Sequence, residues 1–178
     1  KKREVEYNCK WTKQDNWDSK RPTLLIPIRD NKNLIDYTIA NLKETNLIKH
    51  CNIIIIDDRS IEDIRSSAEE NSLSYLRVDN EKGFNFSMLN NIAAKICYEL
   101  GNETIILWNS DLWCVKEEWF VSLLERHKQS GAWISGSKLV YPPKEKSLNK
   151  EEDTNNIKDN FENMAGAWRN TIQFGGSS

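Results

Sequence analysis

Asn52-Ile53-Ile54-Ile55-Ile56-Asp57-Asp58-Arg59-Ser60 decides the fold. The isoleucine run offers no polar face, so as a strand it must be covered on both sides, as in a parallel α/β sheet. It then ends abruptly on two carboxylates, an arginine and a hydroxyl. A buried strand that stops on such side chains delivers them to the carboxyl edge of the sheet, where open α/β sheets bind ligands.

The same grammar recurs on either side. Thr23-Leu24-Leu25-Ile26-Pro27-Ile28 reads as a buried strand ending on Arg29-Asp30, with Pro27 near its end, where a lost ladder bond is tolerable. Ile105-Ile106-Leu107-Trp108 reads as another buried strand, over 104–108, ending on Asn109-Ser110-Asp111. Between them, Leu34, Ile35, Thr38, Ile39 and Leu42 recur at helical spacing behind a cap at Asn31 or Asn33. Ile61, Ile64 and Ala68 give one stripe of a short helix, and Ser74–Val78 a further strand. Asp79-Asn80-Glu81-Lys82-Gly83 is turn-rich. Over 85–100, Phe86, Leu89, Ile92, Ala93, Ile96, Cys97 and Leu100 form a helical stripe that Gly101 stops.

Downstream, a helix over 116–129 is expected to bury Trp119, Phe120, Leu123 and Leu124 and to end near Gly131. A strand from Trp133 to Tyr141 follows, closing on Pro142-Pro143. Strand–helix alternation of this kind predicts the α/β class, with a mostly parallel sheet and right-handed crossovers.

The 178 residues suit one domain with or without an appendage. Three segments are expected: an arm or linker over 1–22, where Trp11 and Trp17 are the large apolar groups, a ligand-binding domain over 23–142, and a remainder over 143–178. Residues 144–163 have the charged, aliphatic-poor composition of a mobile loop or lid. A net charge of −2 with scattered Lys and Arg gives no field to recruit nucleic acid. No apolar run reaches the ~18 residues of a membrane span, and no signal peptide is visible. Cys9, Cys51, Cys97 and Cys114 lie far apart without zinc spacing, which reads as free thiols in a reducing cytosol.

Three polar clusters thus converge on one sheet edge: Arg29-Asp30, Asp57-Asp58 and Asn109-Ser110-Asp111. Any single acidic pair would read as a solvated loop, but three on one edge read as a site. Asp111 is a hard oxygen ligand suited to Mg²⁺ or Mn²⁺, which take one or two carboxylates together with substrate phosphates and water. Asn109 offers only a neutral amide oxygen. Asp57 or Asp58 suits a base N–H or ribose hydroxyls. No Gly-x-Gly-x-x-Gly follows the first strand and no Gly-Lys-Ser/Thr loop occurs, which disfavours dinucleotide and P-loop readings.

Taken in order, Leu25-Ile26-Pro27-Ile28-Arg29-Asp30, Ile55–Ser60, Gly83–Asn91, Leu107–Asp111 and Gly136–Pro142 resemble the nucleotide-binding part of GT-A-fold glycosyltransferases of family 2, in the rhamnosyltransferase-like branch. The resemblance runs from about Thr23 to Tyr141, with a weaker trace at Thr171–Gly176. It implies a Rossmann-like GT-A domain, cut short before its acceptor-side portion. Pro27, Ile28 and Arg29 would line a base pocket, with Asp58 on the base or ribose and Asp57 beside it. Gly83, Phe84, Ser87 and Asn91 would face the nucleotide. Asn109-Ser110-Asp111 stands at the family's Asp-x-Asp motif, with Asp111 as the metal-binding carboxylate. Asn109 departs from the usual first aspartate, and Asn90 stands where many members carry arginine.

The reaction so implied is inverting transfer of a sugar from a nucleoside diphosphate, UDP- or dTDP-linked, to a carbohydrate or other hydroxyl acceptor in glycan or polysaccharide synthesis. Mn²⁺ or Mg²⁺ would steady the leaving diphosphate. A cytoplasmic protein, peripheral to the membrane or not, is expected. No catalytic base is assigned. The family's acidic base motif is missing, and Glu151, Glu152, Asp153, Asp159 and Glu162 read as a solvated run. A nucleotide-binding module without transfer activity is the first rival. A nucleotidyltransferase is the second, though Arg29-Asp30-Asn31-Lys32 lacks the glycine that its phosphate loop would need. Trp113 suits sugar stacking and plain packing equally. His127, in the last turn of a helix, suits the dipole, and His50 has no evident catalytic partner.

Overall fold

The computed structural model describes residues 7–137. The elements are β1 (Cys9–Thr12), β2 (Thr23–Ile28), α1 (Lys32–Glu44), α2 (Leu47–His50), β3 (Asn52–Asp57), α3 (Ile64–Glu70), β4 (Ser74–Val78), α4 (Phe86–Glu99), β5 (Ile105–Leu107) and α5 (Glu117–Ser130). Five strands form one sheet in the order β1-β4-β3-β2-β5. β2, β3, β4 and β5 run parallel, and β1 pairs antiparallel with β4. The class is α/β, a mostly parallel sheet flanked by helices. The chain divides into two units, Lys1–Glu117 and Glu118–Ser178.

β3 explains why the sheet forms where it does. Every residue of Asn52–Asp57 is buried, and it pairs on both sides, with β2 and β4. Ile54 and Ile56 join Leu25, Leu76, Val78, Leu89, Ala93 and Cys97 in one core cluster, which places α4 on that face. Ile53 and Ile55 point the other way and are equally buried. Each such side chain contributes about 1.5–3 kcal/mol when taken from water. α4 starts at Asn85, whose side chain accepts from Met88 N, and ends at Gly101, whose φ of +80° continues no helix. Asn31 caps α1 by accepting from Leu34 N at 3.2 Å.

The residues preceding β2 are tied to the sheet. Trp11 and Trp17 meet edge to face at 6.2 Å and pack against the core cluster. Asn52, buried at the start of β3, accepts from Asp18 N and donates to Asp18 O, while Gln14 Oε1 accepts from Ile53 N. None of the four cysteines is in a disulfide, and Cys9 is exposed while the others are buried. Burial pushes Cys51 up to about 12 and Cys97 up to about 11.

Four expectations need correction. β5 is not a buried strand: among the described residues it pairs only with β2, and Ile105 and Leu107 are 41% and 54% exposed. Ile61 is 96% exposed, because α3 begins only after Asp63 caps it and Ile61 lies outside the helical stripe. Of the stripe expected for α5, Phe120 is buried, but Trp119 is exposed and tilts against Phe120 at 6.4 Å instead. Residues 133–137 form no strand, and Trp133 and Ile134 are almost fully exposed. The remainder of that expected strand, the loop over 144–163 and the Thr171–Gly176 trace lie outside the described residues. α5 closes at Gly131 with φ +63°, and His127 Nδ1 lies 2.9 Å from Ser135 Oγ.

Candidate functional site

The sheet changes direction of growth at β2. From β2 the chain builds outward through β3 and β4, then returns to place β5 on the other side. The carboxyl ends of β2 and β5 therefore flank a topological switch point, the position where open α/β sheets form a crevice. A pocket of about 390 Å³ opens there, lined by Pro27, Ile28, Arg29, Asp30, Asn31, Leu34, Phe84 and Ser110.

Pro27 helps to open this crevice. Thr23 N donates to Thr104 O and Leu25 O accepts from Trp108 N, so the odd-numbered residues of β2 face β5. By the same alternation Pro27 faces β5, and it has no N–H to offer the carbonyl of Trp108. The ladder stops after Leu107, and Asn109-Ser110-Asp111 leaves the sheet.

Helix α1 then holds that segment. Thr38 Oγ1 donates to Ser110 O. Asn41 Nδ2 donates to Cys114 O at 3.0 Å while its Oδ1 accepts from Cys114 N at 2.8 Å. Asn46 Nδ2 and His50 Nε2 both reach Glu117, at 2.9 and 2.6 Å. Trp108 Nε1 donates to Leu112 O, closing the turn from inside. Thr38 had the signal of a polar residue within an apolar stripe. Asn41 had none, because its partner is 73 residues away.

The two neighbouring aspartates do different work. Asp57 is buried and saturated: Oδ1 accepts from Ser60 N at 2.8 Å, and Oδ2 accepts from the Tyr75 hydroxyl and from Arg77 at 2.8 Å. Asp57 pairs in register with Arg77 and Ile55 with Tyr75, so alternation puts all three polar side chains on one face. Asp58 follows and points the other way. Its side chain is fully buried, neither carboxylate oxygen meets a donor at hydrogen-bond geometry among the described residues, and the Arg29 guanidinium stands 3.8 Å away, with the Asn80 side chain also acting on it. Burial pushes the Asp58 carboxyl above the usual carboxylate range, against the pull of Asn80 and Arg29. A buried carboxylate without donors is costly unless something supplies them.

Pro27, Ile28, Arg29, Phe84 and Ser110 share one pocket, and Arg29 joins Asp58 to it. Gly83 sits at the preceding turn with φ +90° and open space where a Cβ would stand. Ser87 and Asn91 are exposed on α4, and Asn109 and Asp111 are exposed beyond β5. The signal for Asp30, Asn31 and Leu34 was their place at the end of β2 and the start of α1.

Among the described residues, no group of three or more His, Cys, Asp or Glu side chains comes together to hold a metal. Asp111 with the Asn109 amide is too poor a donor set to bind an ion unaided. It does fit an ion that brings phosphate oxygens with it. No helix among the described residues is long and apolar enough to cross a membrane.

No family model and no curated protein matches the chain. Among solved structures, a similar one is the mannosyltransferase PcManGT from Pyrobaculum calidifontis in complex with GDP-Man and Mn²⁺, at 13% identity and a TM-score of 0.49. The match covers 74% of this chain and 37% of that one, so the chain spans well under half the length of that protein.

Proposed function

We propose that the crevice binds a nucleoside-diphosphate sugar, and that the domain serves transfer of that sugar, with inversion, to an acceptor hydroxyl. The observation that carries this reading is Asp58: a buried carboxylate whose oxygens meet no donor at hydrogen-bond geometry among the described residues, 3.8 Å from Arg29, which lines the switch-point pocket. A base N–H or a ribose hydroxyl supplies the missing donor. Arg29 supplies a donor to a carbonyl of the same base, a pairing that uracil and thymine offer and that guanine offers too.

Ser110 and Asp111, across the pocket from Arg29 in the sheet order, take the diphosphate end. Asp111 and Asn109 would hold Mg²⁺ or Mn²⁺ jointly with the phosphates. When bound, the ion supplies Lewis acidity to the leaving diphosphate. The chain's own contribution is placement. α1 fixes the turn that carries Asp111, and the apolar wall of Pro27, Ile28, Leu34 and Phe84 excludes water from the base. Asp57 supports the site by fixing the start of the 58–60 turn. The resemblance of five ordered motifs to family 2 glycosyltransferases supports the transferase reading. A domain bounded near 23–142 fits it as well.

Calorimetric titration with UDP, dTDP and GDP, with and without Mn²⁺, on the wild-type chain and on Asp111→Ala tests the reading. Binding of a uridine or thymidine diphosphate that strengthens with Mn²⁺, and loses that gain in Asp111→Ala, is expected. Metal-independent behaviour of all three nucleotides would overturn it. Binding without sugar transfer or donor hydrolysis would leave a nucleotide-binding module.

A further inference from the structure

The loop after β3 reaches across to the start of α1 and exchanges side chains with it. Asp30 N donates to Ser60 Oγ at 2.7 Å, and Asp30 Oδ1 accepts from Ile61 N at 2.7 Å and Glu62 N at 3.5 Å. In return, Glu62 Oε1 accepts from Asn31 N at 3.1 Å, and Glu62 Oε2 accepts from Lys32 N. Both oxygens of one carboxylate thus sit on consecutive N–H groups at the positive end of a 13-residue helix. This is where α/β nucleotide-binding folds commonly seat a phosphate. Here an internal anion already fills the position, and Asn31 Oδ1 takes a third N–H, that of Leu34.

The backbone is shaped to meet this anion. Asp30 and Asn31 have φ of +56° and +60°, so two successive non-glycine residues are left-handed. Each such residue costs on the order of 1 kcal/mol and persists only where its surroundings dictate it. The reciprocal bonds to Ser60, Ile61 and Glu62 supply that constraint. Asp30 and Asn31 are also walls of the pocket.

We propose that Glu62 is a specificity-determining residue: its carboxylate acts as a built-in anion that closes the α1 N-terminus to phosphate. The diphosphate of a nucleotide in the pocket is thereby confined to the Ser110–Asp111 side. The first half of this inference stands on the hydrogen bonds alone. The second rests on the proposed nucleotide reading.

Inorganic pyrophosphate, titrated calorimetrically without metal into the wild-type chain, Glu62→Gln and Glu62→Ala, tests the first half independently of any nucleotide. Glu62→Ala is expected to bind pyrophosphate about fivefold or more tightly than wild type, since the freed N–H groups and helix dipole attract an anion. Glu62→Gln, which keeps an oxygen on the helix but loses the charge, is expected to fall between. This is a gain of binding, which a merely loosened loop would not produce. Equal pyrophosphate affinity in Glu62→Ala and wild type, with the fold intact by circular dichroism, would overturn the proposal. Should Glu62→Ala fail to fold, the same equality in Glu62→Gln would overturn it. The second half is tested by a double-mutant cycle with UDP and Mn²⁺. The loss of affinity on Asp111→Ala is expected to shrink in the Glu62→Ala background, and an unchanged loss would show that Glu62 does not steer the diphosphate. Absence of UDP binding by every variant would count against the nucleotide reading and leave the pyrophosphate result standing.

Discussion

The Asn41 side chain pairs with the backbone of Cys114 through both of its polar ends, donating to the carbonyl and accepting from the N–H. A carboxamide is a rigid, planar copy of a peptide group, so the pairing acts as a single rung of sheet between helix α1 and the segment leaving β5. It lies three residues beyond Asp111 and complements the Thr38–Ser110 bond one residue before it. The turn that carries Asp111 is thereby fixed from both flanks.

Asn41→Ala is accordingly expected to lower stability by about 1–3 kcal/mol, the cost of leaving partly buried backbone groups unpaired. Mn²⁺-dependent nucleotide affinity should fall with it, while affinity measured without metal changes little. Urea denaturation and calorimetry read the two effects separately. A loss of metal-free binding equal to the metal-dependent loss would mean that the clamp supports the whole pocket.

Asp58→Asn separates binding from folding. Burial raises the Asp58 carboxyl in the folded state, so between its ordinary pKa and that raised value the native state holds more protons than the unfolded one. Stability linked to this group is full at low pH and lost as pH rises through the raised value. The neutral, isosteric Asp58→Asn should therefore be as stable as wild type or more so at pH 7, with the gap closing on acidification. Nucleotide affinity should drop about tenfold or more, the loss of a charged acceptor. Thermal melts from pH 4 to 8 check the first part. A melting temperature well below wild type at pH 7 would contradict it.

Asp57→Ala should behave oppositely. Removing a saturated carboxylate strands the Tyr75 hydroxyl and the Ser60 N–H and takes one of the two carboxylates from Arg77, which keeps Asp79, at a cost of about 1–3 kcal/mol. Tyr75→Phe, which leaves the Arg77 bond in place, should cost about 1–2 kcal/mol. Both are read from denaturant midpoints. Near-wild-type stability of Asp57→Ala would show that the network is dispensable.

Glu117 gives a pH signature at the far end of the turn. Its bond to His50, then that to Asn46, holds its carboxyl below the usual range. A depressed folded pKa contributes stability above the unfolded value and loses it as pH falls through the folded one. Glu117→Gln should therefore be less stable than wild type at neutral pH, and the difference should vanish on acidification below the Glu117 pKa. A difference that persisted at the lowest pH would point to packing instead of charge.

The separation of Asp57 from Asp58 shows where sequence reading stops. The two carboxylates are adjacent, chemically identical and both at the end of an apolar run. Only the register of β3 against β4, which sets Asp57 beside Arg77, gives one carboxylate its full set of partners, while the other turns away from them and stands beside Arg29. The expected buried strand over 104–108 failed for a related reason. Its residues are apolar enough for an interior position, but strand burial depends on neighbours, and Ile105 and Leu107 have one on a single side among the described residues.

What the sequence determined by itself is the alternation of strands and helices and the convergence of three polar clusters on one edge. Those follow from short-range periodicity, caps such as Asn31 and Asn85, and stops such as Gly101, all of which act within a few residues. What the tertiary structure decided is which of those polar groups are free to meet a ligand. The Asn41 clamp, the pairing of Asp57 with Arg77 and the Glu62 bonds to the start of α1 each join residues 20 or more positions apart. Pairings at that distance leave no periodic trace, because they are set by how loops approach one another and not by any local pattern.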